Sequence, residues 1–330
     1  MKKAYMIIAA AAVSWLLLAG CNGKNTDISS SQSQSTVSQT TTTEPKKTTI
    51  DFRKQDDPDT LGVWWWQVGT IKYSDNMMTF LKNNTVSEIY LCIDGMGKEQ
   101  SSKATFEDVR AFVKKAGTMG IRVAALTGDY RWINPDNTGF ERYVEKFNDY
   151  QAEAADDEKF YSMHLDVEPH QHPEFKTGAE GRAKVMQLFA DFVVNKAVPA
   201  AKEAKTILEW DIPFWMTDIV KDSDGSEIVL AEMMAKYCDT LGIMSYRDTA
   251  EKILDVSKEE IEYAKKYDCK IILGAETKSS EGDAVSFMEE GKAVMVAELE
   301  KVHKGLKETV SDTSFGLAIH QASVWFNLKD

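Results

Sequence analysis

From residue 61 onward, apolar runs of strand length alternate with segments of helical period, and that alternation leaves the chain few folds to choose from. The runs LGVWWWQV (61–68), SEIYLCID (87–94), IRVAALTG (121–128), YSMHLDVE (161–168), TILEWDIP (206–213), TLGIMSY (240–246), KIILGAE (270–276) and FGLAIH (315–320) make eight β units. Helical segments are expected at 74–81, 106–120, 140–154, 181–204, 226–236, 249–266 and 283–307. In the second of these, Phe106, Val109, Phe112 and Val113 recur at three- and four-residue spacing, and Gly117 and Gly120 supply the stop. Only the brief tail QASVWFNLKD follows the eighth run. Eight alternating units in a chain of this length predict an α/β fold, a single-domain (β/α)8 TIM barrel, rather than an open doubly wound sheet. No G-x-G-x-x-G or G-x-x-x-x-G-K-[ST] follows any run, so no nucleotide or other organic cofactor is expected.

The barrel is expected to span 51–330, and the residues before it read differently. Lys2 and Lys3 precede an apolar run from Ala4 to Leu18 that ends in Leu18-Ala19-Gly20-Cys21. A charged start, a short apolar stretch and small residues before a boundary make a secretory signal over 1–20, shorter than the roughly 20 apolar residues a spanning helix needs. The ending resembles a bacterial lipobox, which implies that Cys21 carries a diacylglycerol and anchors an exported protein to the outer face of the cell membrane. Residues 21–50 hold Ser, Thr, Gln and Asn in place of apolar residues and read as a disordered tether, with a reach on the order of 30 Å. The net charge of -13, with both signs interspersed, argues against nucleic acid as a partner, because phosphate contacts need clustered Lys and Arg. Setting Cys21 aside leaves Cys92, Cys238 and Cys269; Cys238 and Cys269 each precede a strand, and a bridge between them competes with a reading of buried small hydrophobes.

In a barrel of this kind, chemistry sits at the C-terminal ends of the strands and in the loops after them. The strand ends here carry Trp64 to Trp66, Asp94, Trp132, Asp166, Glu168, His170, His172, Asp211, Trp215, Tyr246, Glu276, His320 and Trp325. His164, Asp166 and Glu168 share one face of the fourth strand at roughly 7 Å spacing. Two neighbouring carboxylates in a partly dry mouth cannot both ionise cheaply, so one keeps its proton, as a general acid for a glycosidic oxygen requires. Flat aromatic faces among acids suit pyranose rings, and the expected partner is therefore a polysaccharide or glycan.

The motif LDVE, MSYRD (244–248) and Trp325 together resemble glycoside hydrolase family 18, the chitinase-like barrels, whose fourth strand ends in D-x-x-D-x-D-x-E and whose sixth carries M-x-Y-D. The resemblance implies that Glu168 is the acid, that Asp166 orients the substrate's N-acetyl group, and that Tyr246 and Trp325 shape the subsite of the reacting sugar. Tyr161 and His164 stand where that pattern has Asp, and Arg247 follows the Tyr directly. VEP (167–169) with Glu276 in GAET is similar to a second pattern, that of retaining TIM-barrel glycosidases, and implies Glu276 as nucleophile. Trp66, Trp132, Asp211, Trp215, Asp94, His170 and His320 are the further expected substrate contacts.

Three other readings compete. Asp166 and Glu168 can be a structural pair neutralised by Arg131 or Arg247. The aromatics can belong to a carbohydrate-binding lipoprotein without turnover. His170 and His172, with Asp166, Glu168 and His320, have the ligand mix of a Zn or Mn hydrolase, although no H-E-x-x-H is present and a metal is not the favoured expectation.

Overall fold

The computed structural model describes residues 46–54, 57–279, 284–310 and 312–330. The residues expected to form the signal peptide, the expected lipidation site Cys21 and most of the expected tether lie outside these residues. Among the described residues no helix is long and apolar enough to cross a membrane.

Eight parallel strands close into a barrel: β1 (Thr60–Trp65), β2 (Glu88–Cys92), β3 (Arg122–Thr127), β4 (Ser162–Leu165), β5 (Ile207–Pro213), β6 (Thr240–Met244), β7 (Lys270–Glu276) and β8 (Phe315–His320). Each pairs with its sequence neighbour, and β8 returns to β1 with Gly316 opposite Thr60 and Ile319 opposite Val63. The expected (β/α)8 fold is therefore the observed one.

Helices α1 (Asp75–Asn83), α2 (Phe106–Thr118), α3 (Gly139–Glu153) and α4 (Ala179–Phe192) follow the first four strands. After α4 the chain passes through a wide turn at Val193–Ala197 into α5 (Val198–Ala204), where Pro199 lacks the N–H that a continuous helix would use. The segment expected as a helix from 226 begins instead with an antiparallel hairpin, Ile219–Lys221 against Glu227–Val229, before α6 (Leu230–Tyr237). The 249–266 stretch divides at Ser257 into α7 (Ala250–Val256) and α8 (Lys258–Tyr267), and the seventh helical layer element, α9, starts at Lys292 and runs to Thr309.

The tail is not the mere stub expected. Ala322–Asn327 forms α10, whose Trp325 is fully buried against Phe80 of α1 with ring centroids 4.9 Å apart. The eighth βα unit is thereby complete. Replacing Trp325 by Ala is expected to cost about 3–5 kcal/mol of stability, since it empties a packed site. Chemical denaturation measures this loss, and ligand affinity of the folded fraction should not change.

Alternation along each strand divides its side chains between helix layer and interior. Leu61, Val63 and Trp65 face the helices, with Trp65 5.4 Å from Phe112, whereas Trp64 faces inward beside Tyr90. Barrels of this type are usually filled by branched apolar side chains. Here the lower interior is ionic. Fully buried Glu88 accepts hydrogen bonds from Lys270 Nζ at 2.7 Å, Arg122 Nε at 3.0 Å and Tyr90 OH at 2.9 Å. Burial by itself would raise the Glu88 carboxyl, but Lys270 and Arg122 outweigh it and hold the group below its ordinary range.

Candidate active site

The ionic filling continues upward to the mouth. Glu209 accepts from Tyr161 OH at 2.9 Å and Ser162 Oγ at 2.8 Å, and its Oε2 lies 3.2 Å from His164 Nδ1. The other imidazole nitrogen, Nε2, lies 2.6 Å from Asp211 Oδ2, which also accepts Trp64 Nε1–H at 2.7 Å. Both ring nitrogens face carboxylates, so the ring holds both protons. Burial would favour the neutral ring, but Asp211 and Glu209 overcome it and push the imidazole up to about 10. Room for the Asp211 carboxylate comes from Gly242 on β6, where a Cβ would collide with Asp211 Oδ1.

Above this layer, β4 delivers its two carboxylates. The Asp166 N–H donates to Thr127 O at 2.9 Å, which continues the ladder past the last regular residue. Asp166 Oδ1 is buried and meets no donor. Burial first, then the charges of Asp211 and Glu168, lift the Asp166 carboxyl well above the ordinary carboxylate range. The coupling expected between Asp166 and Glu168 is present, and the proton of the pair rests on Asp166, the deeper member.

Glu168 is more open, with a quarter of its side chain exposed. Gln171 Nε2 donates to it, and His170 Nε2 lies 3.5 Å from its Oε1. Burial holds His170 below its ordinary value, so the imidazole is neutral at pH 7. Neither arginine neutralises the pair: Arg131 binds Asp129, while Arg247 donates to the Tyr246 carbonyl at 2.7 Å and lies over the Phe214 ring. The reading of a structural ion pair is thus not what the geometry contains.

Opposite, at the end of β7, Glu276 is almost completely buried and multiply bonded. Its Oε1 accepts the backbone N–H groups of Thr277 at 2.8 Å and Lys278 at 2.7 Å, and His320 Nδ1 lies 2.9 Å from Oε2. Trp66 Nε1, which can only donate, points at His320 Nε2 from 2.7 Å. That bond fixes the tautomer: Nε2 accepts, and Nδ1–H donates to Glu276. Three donors therefore fix the Glu276 carboxyl group. Burial and the facing Glu276 raise the Tyr246 hydroxyl well above its ordinary range, keeping it a donor.

Two adjoining cavities meet at Trp66, Asp166 and Glu168. The inner one, about 330 Å³, also takes in Asp211, Tyr246 and Glu276. The outer one, about 370 Å³, runs past Tyr130, Arg131 and Gln171. The structure thus brings together Asp166, Glu168, Tyr246, Glu276, Trp66, Asp211 and His320 at one place, with His170 beside Glu168.

Four expected contacts fall elsewhere. Trp325 is core of α10, as described, because its helix turns the indole toward α1. Trp132 is 7% exposed and stacks between Phe140 and Tyr143 in the helix layer. Trp215 packs on His170 at 5.2 Å, with the Arg182 guanidinium over its ring, and lines neither cavity. Asp94 is exposed, accepts Thr127 Oγ1 at 2.9 Å and lines neither cavity.

No group of three or more His, Cys, Asp and Glu among the described residues is arranged to hold a metal ion. His172 is engaged by two loops, Nδ1 accepting Glu174 N–H at 3.2 Å and Nε2 lying 3.2 Å from Oδ1 of Asn134 in the loop after β3. Cys238 and Cys269 are buried free thiols, so the bridge between them is absent.

Sequence reasoning missed the inner ionic set of Glu88, Arg122, Lys270 and Glu209, and gave His164 no role. The signal was there: each is a charged or polar residue at an alternate position of a run that is otherwise apolar.

No protein-family model matches the chain, and no curated protein matches it. Among solved structures, a GH18 chitinase from Pseudoalteromonas aurantia aligns at 9% identity over 80% of this chain and 95% of that one, with a TM-score of 0.47. A chitinase from Bacteroides thetaiotaomicron aligns at 10% identity over 81% and 90%, with a TM-score of 0.49. A calcium-binding mutant of Bacteroides uniformis beta-glucuronidase 2 aligns at 10% identity over 80% of this chain and 30% of that chain, with a TM-score of 0.50. At 10% identity the likeness to the glucuronidase is one of fold alone.

Proposed function

We propose that the chain is a glycoside hydrolase that cleaves a polysaccharide within its length, held outside the cell by a lipid on Cys21. The observation that carries this reading is that Glu168 and Asp166 line both cavities where these meet, together with the indole of Trp66. A group that protonates a glycosidic oxygen must stand between the sugar that reacts and the sugar that leaves. One sugar would occupy the inner cavity over Tyr246 and Trp66, the next the outer cavity by Tyr130.

In this reading Glu168 gives its proton to the leaving oxygen as the bond from the anomeric carbon breaks. Glu276, held in place by its three donors, meets the carbon with a carboxylate oxygen from the inner cavity. Water then enters, loses a proton to the Glu168 carboxylate and displaces Glu276, which restores both groups. The proton that Asp166 holds in the empty site passes to Glu168 before the bond breaks, leaving Asp166 ionised, and it returns when the product leaves. Neutral His320, fixed by Trp66, keeps Glu276 in place.

The test is product analysis with the full-length protein on cell-wall and exopolysaccharide fractions. Cleavage within the chain gives oligosaccharides of mixed length as first products. Monosaccharide alone would reject internal cleavage, and absence of release from every fraction, with the glycans still retained by the protein, would replace the hydrolase by a binding protein. Metabolic labelling with a fatty acid, lost in Cys21→Ala, tests the anchor.

A further inference from the structure

The inner cavity is more acidic than catalysis alone requires. Asp166, Glu168, Asp211 and Glu276 contribute carboxyl groups from three strands to a space of about 330 Å³. Glu276 is satisfied by protein donors, and Asp211 Oδ2 accepts from His164 and Trp64, but one oxygen each of Asp211 and Asp166 meets no donor. Asp211 is 2% exposed, lines the cavity and has an Oδ1 without a donor. Asp166 Oδ1 is likewise buried without one. The two arginines nearest in sequence to the mouth are committed to Asp129 and to the Tyr246 carbonyl, so they supply no counter-charge. Lys278 lines the cavity and its N–H serves Glu276.

Buried carboxylate oxygens without partners are costly, and the ligand that settles there has to bring the missing donors. A metal ion does not suit the described residues, which contain no three-ligand group. The walls suit an organic cation instead: Trp64, Trp66 and Tyr246 line the cavity, and aromatic rings attract both sugar CH groups and an ammonium. A primary ammonium brings three N–H donors and a positive charge, where an acetamide brings one N–H and no charge. The net charge of -13 acts in the same direction, since it draws a polycation toward the protein from a distance.

We propose that the inner cavity takes a hexosamine whose amine is free and protonated, which makes the substrate a de-N-acetylated, cationic polysaccharide. This rests on the reading of the cleft as a sugar site and names the class of sugar. An ammonium beside Asp166 also favours its ionised form, so binding expels the proton that burial keeps there. The inference reverses what the resemblance to chitinase-like barrels implied for Asp166: the residue receives an amine in place of an N-acetyl group.

The experiment compares fully deacetylated and fully acetylated glucosamine oligomers, each in β-1,4 and β-1,6 linkage, with glucose oligomers of equal length as neutral controls. Binding is measured by calorimetry on the full-length Glu168→Gln variant, and turnover on the wild type. The expected result is at least tenfold tighter binding of a deacetylated oligomer than of its acetylated twin. That preference should shrink with added salt. The binding heat should vary with the buffer's ionisation heat, showing proton release with the amine alone. Asp166→Asn and Asp211→Asn should each reduce the preference about tenfold; where Asp211→Asn fails to fold, the Asp166→Asn result decides. Equal or better binding of the acetylated or neutral oligomers, or no binding of any oligomer at millimolar concentration, overturns the inference. Tight amine-selective binding without turnover would keep it and sink the hydrolase reading. Turnover confined to acetylated or neutral chains would do the reverse.

Discussion

Glu168→Gln is expected to lower kcat by about 10²–10⁴, which is what a positioned general acid contributes. The amide keeps the shape and the contact with Gln171 but has no proton of suitable acidity. Stability should stay within about 0.5 kcal/mol of wild type, because the side chain is a quarter exposed and belongs to no packed layer. The combination is diagnostic. Loss of activity with an unchanged melting temperature assigns Glu168 to the chemistry, whereas activity within threefold of wild type would remove it from the acid's role. A substrate with an activated leaving group sharpens the test, since a leaving group that needs no proton should recover most of the lost rate in the variant.

The second large effect concerns His164, far from any bound sugar. His164→Leu is expected to cost about 3–5 kcal/mol, because Glu209 and Asp211 would then sit buried with no cation between them. The same ring makes stability depend on pH. Its folded-state value is about 10 against 6.5 for an unperturbed imidazole. A group raised on folding gives stability that is whole below the unfolded value and is lost as pH climbs toward the folded one. Unfolding free energy should therefore fall by on the order of 3 kcal/mol between pH 6.5 and 9. Asp166, also raised, acts in the same direction, but its loss begins from a carboxylate's ordinary value of 3.8. The buried tyrosines Tyr90, Tyr161 and Tyr246 start from 10 and enter above this window. Denaturant titrations across the range test it, and a flat profile from pH 6.5 to 9 would mean that the ring is neutral.

The architecture was legible because it depends on a repeated signal. A two-residue period in eight apolar runs, interleaved with segments of helical period, admits few closures, and the observed strands lie within the expected runs to within a residue or so at all but the mouth. Glu168, Asp166, Glu276 and Tyr246 were legible for the same reason, since a strand end in this fold always faces the mouth. Trp325 and Trp132 misled because they follow their strands by several residues. Once the chain leaves the strand, alternation no longer says which way an indole points, and the short helices there turned both toward the helix layer. Helix starts at Leu230 and Lys292 lay later than expected because turn and hairpin residues separate them from the preceding strands.

His164 was passed over for a different reason. An imidazole in the strand-four motif draws attention as a possible contact or ligand, but its role depends on Glu209 and Asp211, more than forty positions away, which the register of β5 on β4 brings beside it. Pairing of that kind is a property of strand register across a long connection, and no local window contains it.

The ionic filling of the interior has a consequence for descent. Glu88, Glu209 and Asp211 face Arg122, Lys270 and His164, so the acids and bases balance. A lone exchange at any one of them leaves a charge stranded, and its carrier is at a disadvantage until a second exchange answers it. Such positions change in couples or stay as they are, and two lineages of this barrel that differ at residue 164 should differ at 209 or 211 as well.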